Sequence, residues 1–124
     1  MSTGITNKPS SRTVAETLDR LESLVISQGM TVFARIDQST AAETVGLTLR
    51  PTQLLLFGDP RTGTPLMDAH PSLAMDLPLK ALAWQDESGQ VWLSYNSPQF
   101  LQERHGLPAG AFGATDTLID KALA

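Results

Sequence analysis

Apolar residues Val14, Leu18, Leu21 and Val25 recur at the spacing of one helical face, which predicts a helix over Val14 to Gln28. Thr13 and Glu16 stand at its start in the order of a capping box, and Gly29 follows its end, where a left-handed residue closes the last turn. Arg12, Asp19, Arg20 and Glu22 then fall on the solvated side. Thr31 to Asp37 is rich in β-branched and aromatic residues and reads as a strand, with Phe33, Arg35 and Asp37 on one side. Ser39 to Gly46 predicts a short helix capped by Ser39 and ended by Gly46. The continuous apolar run Gln53 to Phe57, preceded by Pro51, reads as a strand covered on both faces.

After Phe57 the pattern breaks. Gly58-Asp59-Pro60-Arg61-Thr62-Gly63-Thr64-Pro65 reads as a loop, with Thr64 as N-cap and Pro65 as the first residue of a short helix reaching about His70. Leu79 to Gln85 and Val91 to Tyr95 form a hairpin around Asp86 to Gln90, where Gly89 supplies a positive φ. Pro98 to Arg104 predicts a short helix and Gly106 to Gly113 a loop. Leu118, Ile119, Ala122 and Leu123 supply the apolar stripe of a terminal helix over Asp116 to Ala124.

At 124 residues the chain fits one domain, because a chain of this size buries roughly two-thirds of its unfolded surface. It has no cysteine, which excludes disulfides, thiolate nucleophiles and Cys-ligated metal or iron-sulfur sites. Met1 to Arg12 lacks the apolar segment of a secretory signal, and no run approaches the roughly 18 apolar residues of a membrane span, so the expected location is the cytoplasm, without a membrane partner. Nine Lys and Arg stand against thirteen Asp and Glu, a formal charge of −4, and the basic residues are scattered. Such a surface repels phosphate backbones, and no nucleic-acid partner is expected.

The ordered motifs Phe33-Ala34-Arg35-Ile36-Asp37, Ala42 to Pro51, Leu56-Phe57-Gly58-Asp59-Pro60 with Gly63 to Met67, Asp76 to Lys80 and Val91 to Tyr95 resemble the domain of unknown function 302 family over nearly the whole chain. The resemblance implies an α+β fold, an antiparallel β-sheet with helices packed on one side in β-α-β-β-β-β-α order, similar to the TATA-binding-protein-like fold group and often dimeric. It also implies a first strand at Gly4 to Lys8. Members commonly carry His after the Asp of the first motif and Asn before the Pro of the loop motif; here those places hold Gln38 and Asp59. The resemblance brings no reaction with it.

The chemistry the residues themselves suggest centres on the loop. Backbone amides from Gly63 to Leu66 at a helix start, helped by Arg61, can cradle an anion, although Asp59 opposes this unless it pairs with Arg61. The bland alternative is a turn whose glycines and prolines only set backbone geometry. Asp37, Asp59 and Asp76 could converge as an acid-base pair or as ligands of a hard cation, or each could cap a turn. His70 and His105 lack metal-ligand spacing and read as surface groups. Trp84, Trp92 and Tyr95 read as core or interface residues, and Ser94 lacks the Gly-x-Ser-x-Gly elbow of a hydrolase. The resulting expectation is a homodimeric domain, ligand-binding or stress-associated, that holds a small polar ligand through Asp37, Gly58, Asp59, Arg61, Gly63, Thr64 and Asp76. No metal and no particular cofactor is specified. The alternatives are a carboxylate- or metal-dependent hydrolase or isomerase on the same aspartates, and a purely structural homodimer.

Overall fold

The computed structural model describes residues 4–124. Strands β1 (Ile5–Ser10), β2 (Thr31–Asp37), β3 (Thr52–Gly58), β4 (Leu79–Gln85) and β5 (Val91–Asn96) form one antiparallel sheet in the order β1-β5-β4-β3-β2. Helices α1 (Val14–Ser27), α2 (Gln38–Glu43), α3 (Pro60–Ala69), α4 (Pro98–His105) and α5 (Thr115–Leu123) connect or follow them, with a 3₁₀ helix at Pro71–Met75. This is the α+β architecture that the resemblance implies, with the first strand at Ile5–Ser10 rather than Gly4 to Lys8.

Helix α1 is capped as the sequence indicates: Thr13 Oγ1 accepts from the Glu16 amide and Glu16 accepts from the Thr13 amide. Its stripe Val14, Leu18, Leu21 and Val25 is buried against Leu55 and Phe57 of β3, Ala81 and Ala83 of β4, and Val91, Leu93 and Tyr95 of β5. Small residues on β4 let the helix lie close to the sheet. Leu118, Ile119 and Ala122 of α5 complete this core. At its edge Arg35 runs along α1, donating to Asp19 and to the Ala15 carbonyl.

The sheet's other face has no second layer among the described residues. β3 is therefore half covered rather than buried on both sides: Leu55 and Phe57 face the helices, while Leu54 and Leu56 are partly exposed. Its unbroken apolar run arises because the uncovered face is itself apolar, with Leu82, Trp84 and Trp92 beside it and Ile5 and Ile36 toward the edges. Trp84 and Trp92 pair across the hairpin on that face, their rings stacked with centroids 6.4 Å apart. Asp86 closes the hairpin by accepting from the Ser88 and Gln90 amides, the Ser88 hydroxyl and Trp92 Nε1, while Gly89 takes φ 90°. These bonds hold the Asp86 carboxyl well below its usual range, at about 2.

Two local expectations change. α2 is capped by Asp37, whose carboxylate accepts from the Thr40 amide, and Ser39 instead bridges the Arg50 carbonyl and the Thr52 amide. The stretch from Pro60 onward is helix rather than loop: α3 starts with Asp59 as N-cap and Pro60 at the first helical position, and Pro65 lies inside it. Thr64-Pro65 looks like a helix start, but Asp59-Pro60 presents the same signal five residues earlier, and its side chain reaches the Arg61 amide at 3.0 Å.

The register of β2 with β3 slips between Val32 and Ala34, leaving Phe33 as the extra residue of a β-bulge. Val32 pairs with core-facing Phe57, and Ala34 pairs with Leu56 of the open face. The bulge turns Phe33 toward the end of the sheet beside Gly58 instead of outward onto the open face.

Candidate functional site

A cavity of about 520 Å³ opens where β2 begins and β3 ends. Its wall is apolar, built from Met30 and Phe33 of the β2 end, Phe57 of β3, Met67 of α3, Leu77 and Leu79 before and on β4, and Phe112 and Leu118 from the C-terminal segment. Thr62, Gly63 and Thr64 of α3 and Thr115 of α5 add a sparse polar rim. Such a size and balance suit a small-molecule site, where a largely hydrophobic lining carries a few polar groups that fix orientation.

Phe112 takes φ 60°, the one non-glycine residue with a positive φ among the described residues, and its ring faces this cavity. Left-handed backbone costs a bulky residue about 1–2 kcal/mol. The neighbouring Gly110, at φ 86°, gives the segment the turn that brings Phe112 across the opening.

The seven residues singled out in the sequence divide. Gly58, Asp59, Gly63 and Thr64 line the cavity. Arg61 is exposed and does not line it; its side chain forks onto Asp59 through Nε to Oδ1 and Nη2 to Oδ2, both at 3.0 Å. This pairing lowers the Asp59 pKa and occupies the guanidinium that an anion would need. Asp37 lies at the other end of the strand: Thr31 pairs with Gly58 but Asp37 with Gln53, six residues or roughly 20 Å along the chain. Gln38, at the family's histidine position, begins α2 at that same far end. Asp76 ends the 3₁₀ helix, and neither it nor Asp37 lines the cavity. The three aspartates therefore do not converge, because antiparallel pairing sends the strand end at Asp37 away from the turn at Asp59. Asp59 instead pairs with Arg61, and Asp76 with His105. Among the described residues no group of three or more His, Asp or Glu is arranged to hold a metal ion.

A second cluster was not legible in the sequence. His105, at the C-terminus of α4, is buried rather than on the surface; only 2% of its side chain is exposed. Its Nε2 lies 2.5 Å from Asp76 Oδ2 and its Nδ1 lies 2.7 Å from Ser72 Oγ. Arg104 Nη1 approaches the same Asp76 oxygen at 3.5 Å. Ser72 and Asp76 share the short 3₁₀ helix, but His105 arrives from 33 residues beyond Ser72, a juxtaposition that no local spacing announces.

One antiparallel sheet backed by helices, with an apolar cavity at the sheet end, defines the class of domain. The domain of unknown function DUF302 matches residues 6–124, and the chain belongs to that family. The crystal structure of an uncharacterised conserved DUF302 protein from Bacillus stearothermophilus superposes with a TM-score of 0.79, at 20% identity, covering 98% of this chain and 97% of that one. Two curated relatives are the Fluoride-specific ion channel FluC 1 of Brucella suis biovar 1 and the protein of the same name from Brucella abortus biovar 1. Each is 45% identical over 104 residues, 84% of this chain, which cover 41% and 38% of those proteins respectively. The chain thus spans about two fifths of the length of the curated relatives it matches. Among the described residues no helix is long and apolar enough to cross a membrane.

Proposed function

We propose that the chain is a cytoplasmic binding domain, non-catalytic at its cavity, that holds a small and predominantly apolar molecule at the sheet end. The observation that carries this reading is the 520 Å³ cavity walled by Met30, Phe33, Phe57, Met67, Leu79 and Leu118. Its composition favours an apolar ligand over the polar one that the loop residues suggest, since Arg61 is already neutralised by Asp59. Two devices support a built site: the bulge that sets the half-exposed Phe33 against the cavity mouth and the strained backbone that presents Phe112. Ala114 is exposed and lines the opening, so Ala114→Trp fills it without touching the core. A hydrophobic fluorescent dye is expected to bind the native chain and to lose at least about tenfold in affinity to Ala114→Trp. No binding to the native chain, or equal binding to a folded Ala114→Trp, would refute the reading.

A second reading rests on the partial match to the channel proteins. The chain resembles only two fifths of those proteins, and none of its described helices can cross a bilayer. We infer an accessory domain that works beside an ion channel. Fluoride flux through reconstituted channel vesicles, measured with and without the chain, tests this; unchanged flux and no co-purification with the channel would overturn it. Self-association through the open sheet face is compatible with either reading and is supported by the partly exposed Leu82, Trp84 and Trp92.

A further inference from the structure

We propose that Ser72, His105 and Asp76 form a hydrolytic triad for short-chain carboxylic esters, separate from the cavity and independent of what binds there. The geometry meets the three requirements of such a site. Ser72 is exposed, so its hydroxyl can meet a substrate. His105 is buried and fixed at both nitrogens, with Ser72 Oγ at 2.7 Å and the Asp76 carboxylate at 2.5 Å. A carboxylate accepts a hydrogen bond from Nε2–H, and that tautomer leaves the Nδ1 lone pair facing the Ser72 hydroxyl, the arrangement of a general base. The ring is turned over relative to the usual triad, in which Nε2 faces the serine, but the roles are unchanged.

Two features favour the charge that develops, against the Arg104 guanidinium 3.5 Å from the same Asp76 oxygen. When His105 takes the Ser72 proton it becomes an imidazolium at the C-terminal end of α4, where the helix dipole favours a cation, and in contact with Asp76. Ser72 directly follows Pro71 at the start of the 3₁₀ helix. Ser72 does not line the apolar cavity, and a nucleophile on an exposed turn suits a short acyl group rather than a long chain.

The steps balance with ester and water alone. Ser72 Oγ bonds to the carbonyl carbon as its proton passes to His105 Nδ1; the ester C–O bond then breaks, and the leaving alcohol takes that proton. Water next attacks the acyl carbon, giving a proton to His105, and the Oγ–C bond breaks as Oγ recovers it and the acid departs.

The test treats the intact chain with a fluorophosphonate probe and locates the adduct by mass spectrometry. Labelling is expected at Ser72 above the chain's other serines, absent in Ser72→Ala, and about 100-fold slower in His105→Gln, the contribution typical of a positioned base. Absence of a Ser72 adduct in the folded native chain overturns the proposal whether or not any variant folds. So does a rate unchanged in a folded His105→Gln.

Discussion

Gly63 sits inside α3, buried, with ordinary backbone, and an added Cβ would lie 3.3 Å from Leu77 Cδ1 and 4.0 Å from Met67 Cε. Gly63→Ala therefore sets two effects against each other. Alanine is worth about 1 kcal/mol over glycine in a helix interior, and the buried methyl adds up to about 0.8 kcal/mol. Overpacking costs about 1–3 kcal/mol where neighbours cannot move. Here the close atom is the tip of a side chain that borders an open cavity, so a shift of a few tenths of an ångström leaves its other contacts intact. The gain wins, and Gly63→Ala is expected to stabilise the ligand-free protein by about 1 kcal/mol, which raises Tm by about 4 °C for a chain of this length. Urea unfolding followed by circular dichroism measures it, with the midpoint raised and the slope unchanged. A lowered midpoint would show that Leu77 has nowhere to go, and with it that the space beside α3 is not the free volume described.

Ser97→Ala removes the cap that accepts from the Phe100 amide at the start of α4 and is expected to cost about 1 kcal/mol in urea unfolding. Asp86 has a depressed pKa, so its stabilising contribution is full above the ordinary value of 3.8 and is lost as pH falls through about 2. Acid titration of tryptophan fluorescence should show that loss between pH 4 and 2 and should show none of it in Asp86→Asn, because Trp92 Nε1 bonds this carboxylate. Tyr95 is the chain's single tyrosine, and burial, with its bond to Asp116, raises its pKa to about 12. Phenolate absorbance should therefore rise near pH 12 in the folded chain, and a midpoint near 10 would contradict the buried hydroxyl. Leu82→Lys on the open sheet face should leave the fold intact and abolish any dimer seen by light scattering of the native chain.

The elements whose side chains announce their own geometry were legible in the sequence. The Val14, Leu18, Leu21, Val25 stripe and the Thr13–Glu16 box define α1 because both depend on contacts within four residues or on one face. The hairpin is equally local, with Asp86 and Gly89 at its turn. What failed depended on distant partners. Asp59-Pro60 and Thr64-Pro65 carry the same N-terminal signal, and nothing local says which one begins the helix. The three aspartates share a residue type, but only the β2–β3 register reveals that Asp37 points to the opposite end. His105 reads as an exposed imidazole until the 3₁₀ helix folds over it with Ser72 and Asp76. The cavity was half legible: the Gly58 to Thr64 segment was singled out, but Met30, Phe112 and Leu118 come from elsewhere in the chain.

The irregularity at Phe33 falls on β2, the outermost strand of its side, whose free edge would otherwise offer an even row of amides and carbonyls to a strand of another molecule. One surplus residue interrupts that template while it also furnishes an aromatic wall for the interior space. Deleting it would restore the even ladder and take the aromatic ring away from the cavity. In this domain the same inserted amino acid both breaks the regular edge of the sheet and lines a pocket.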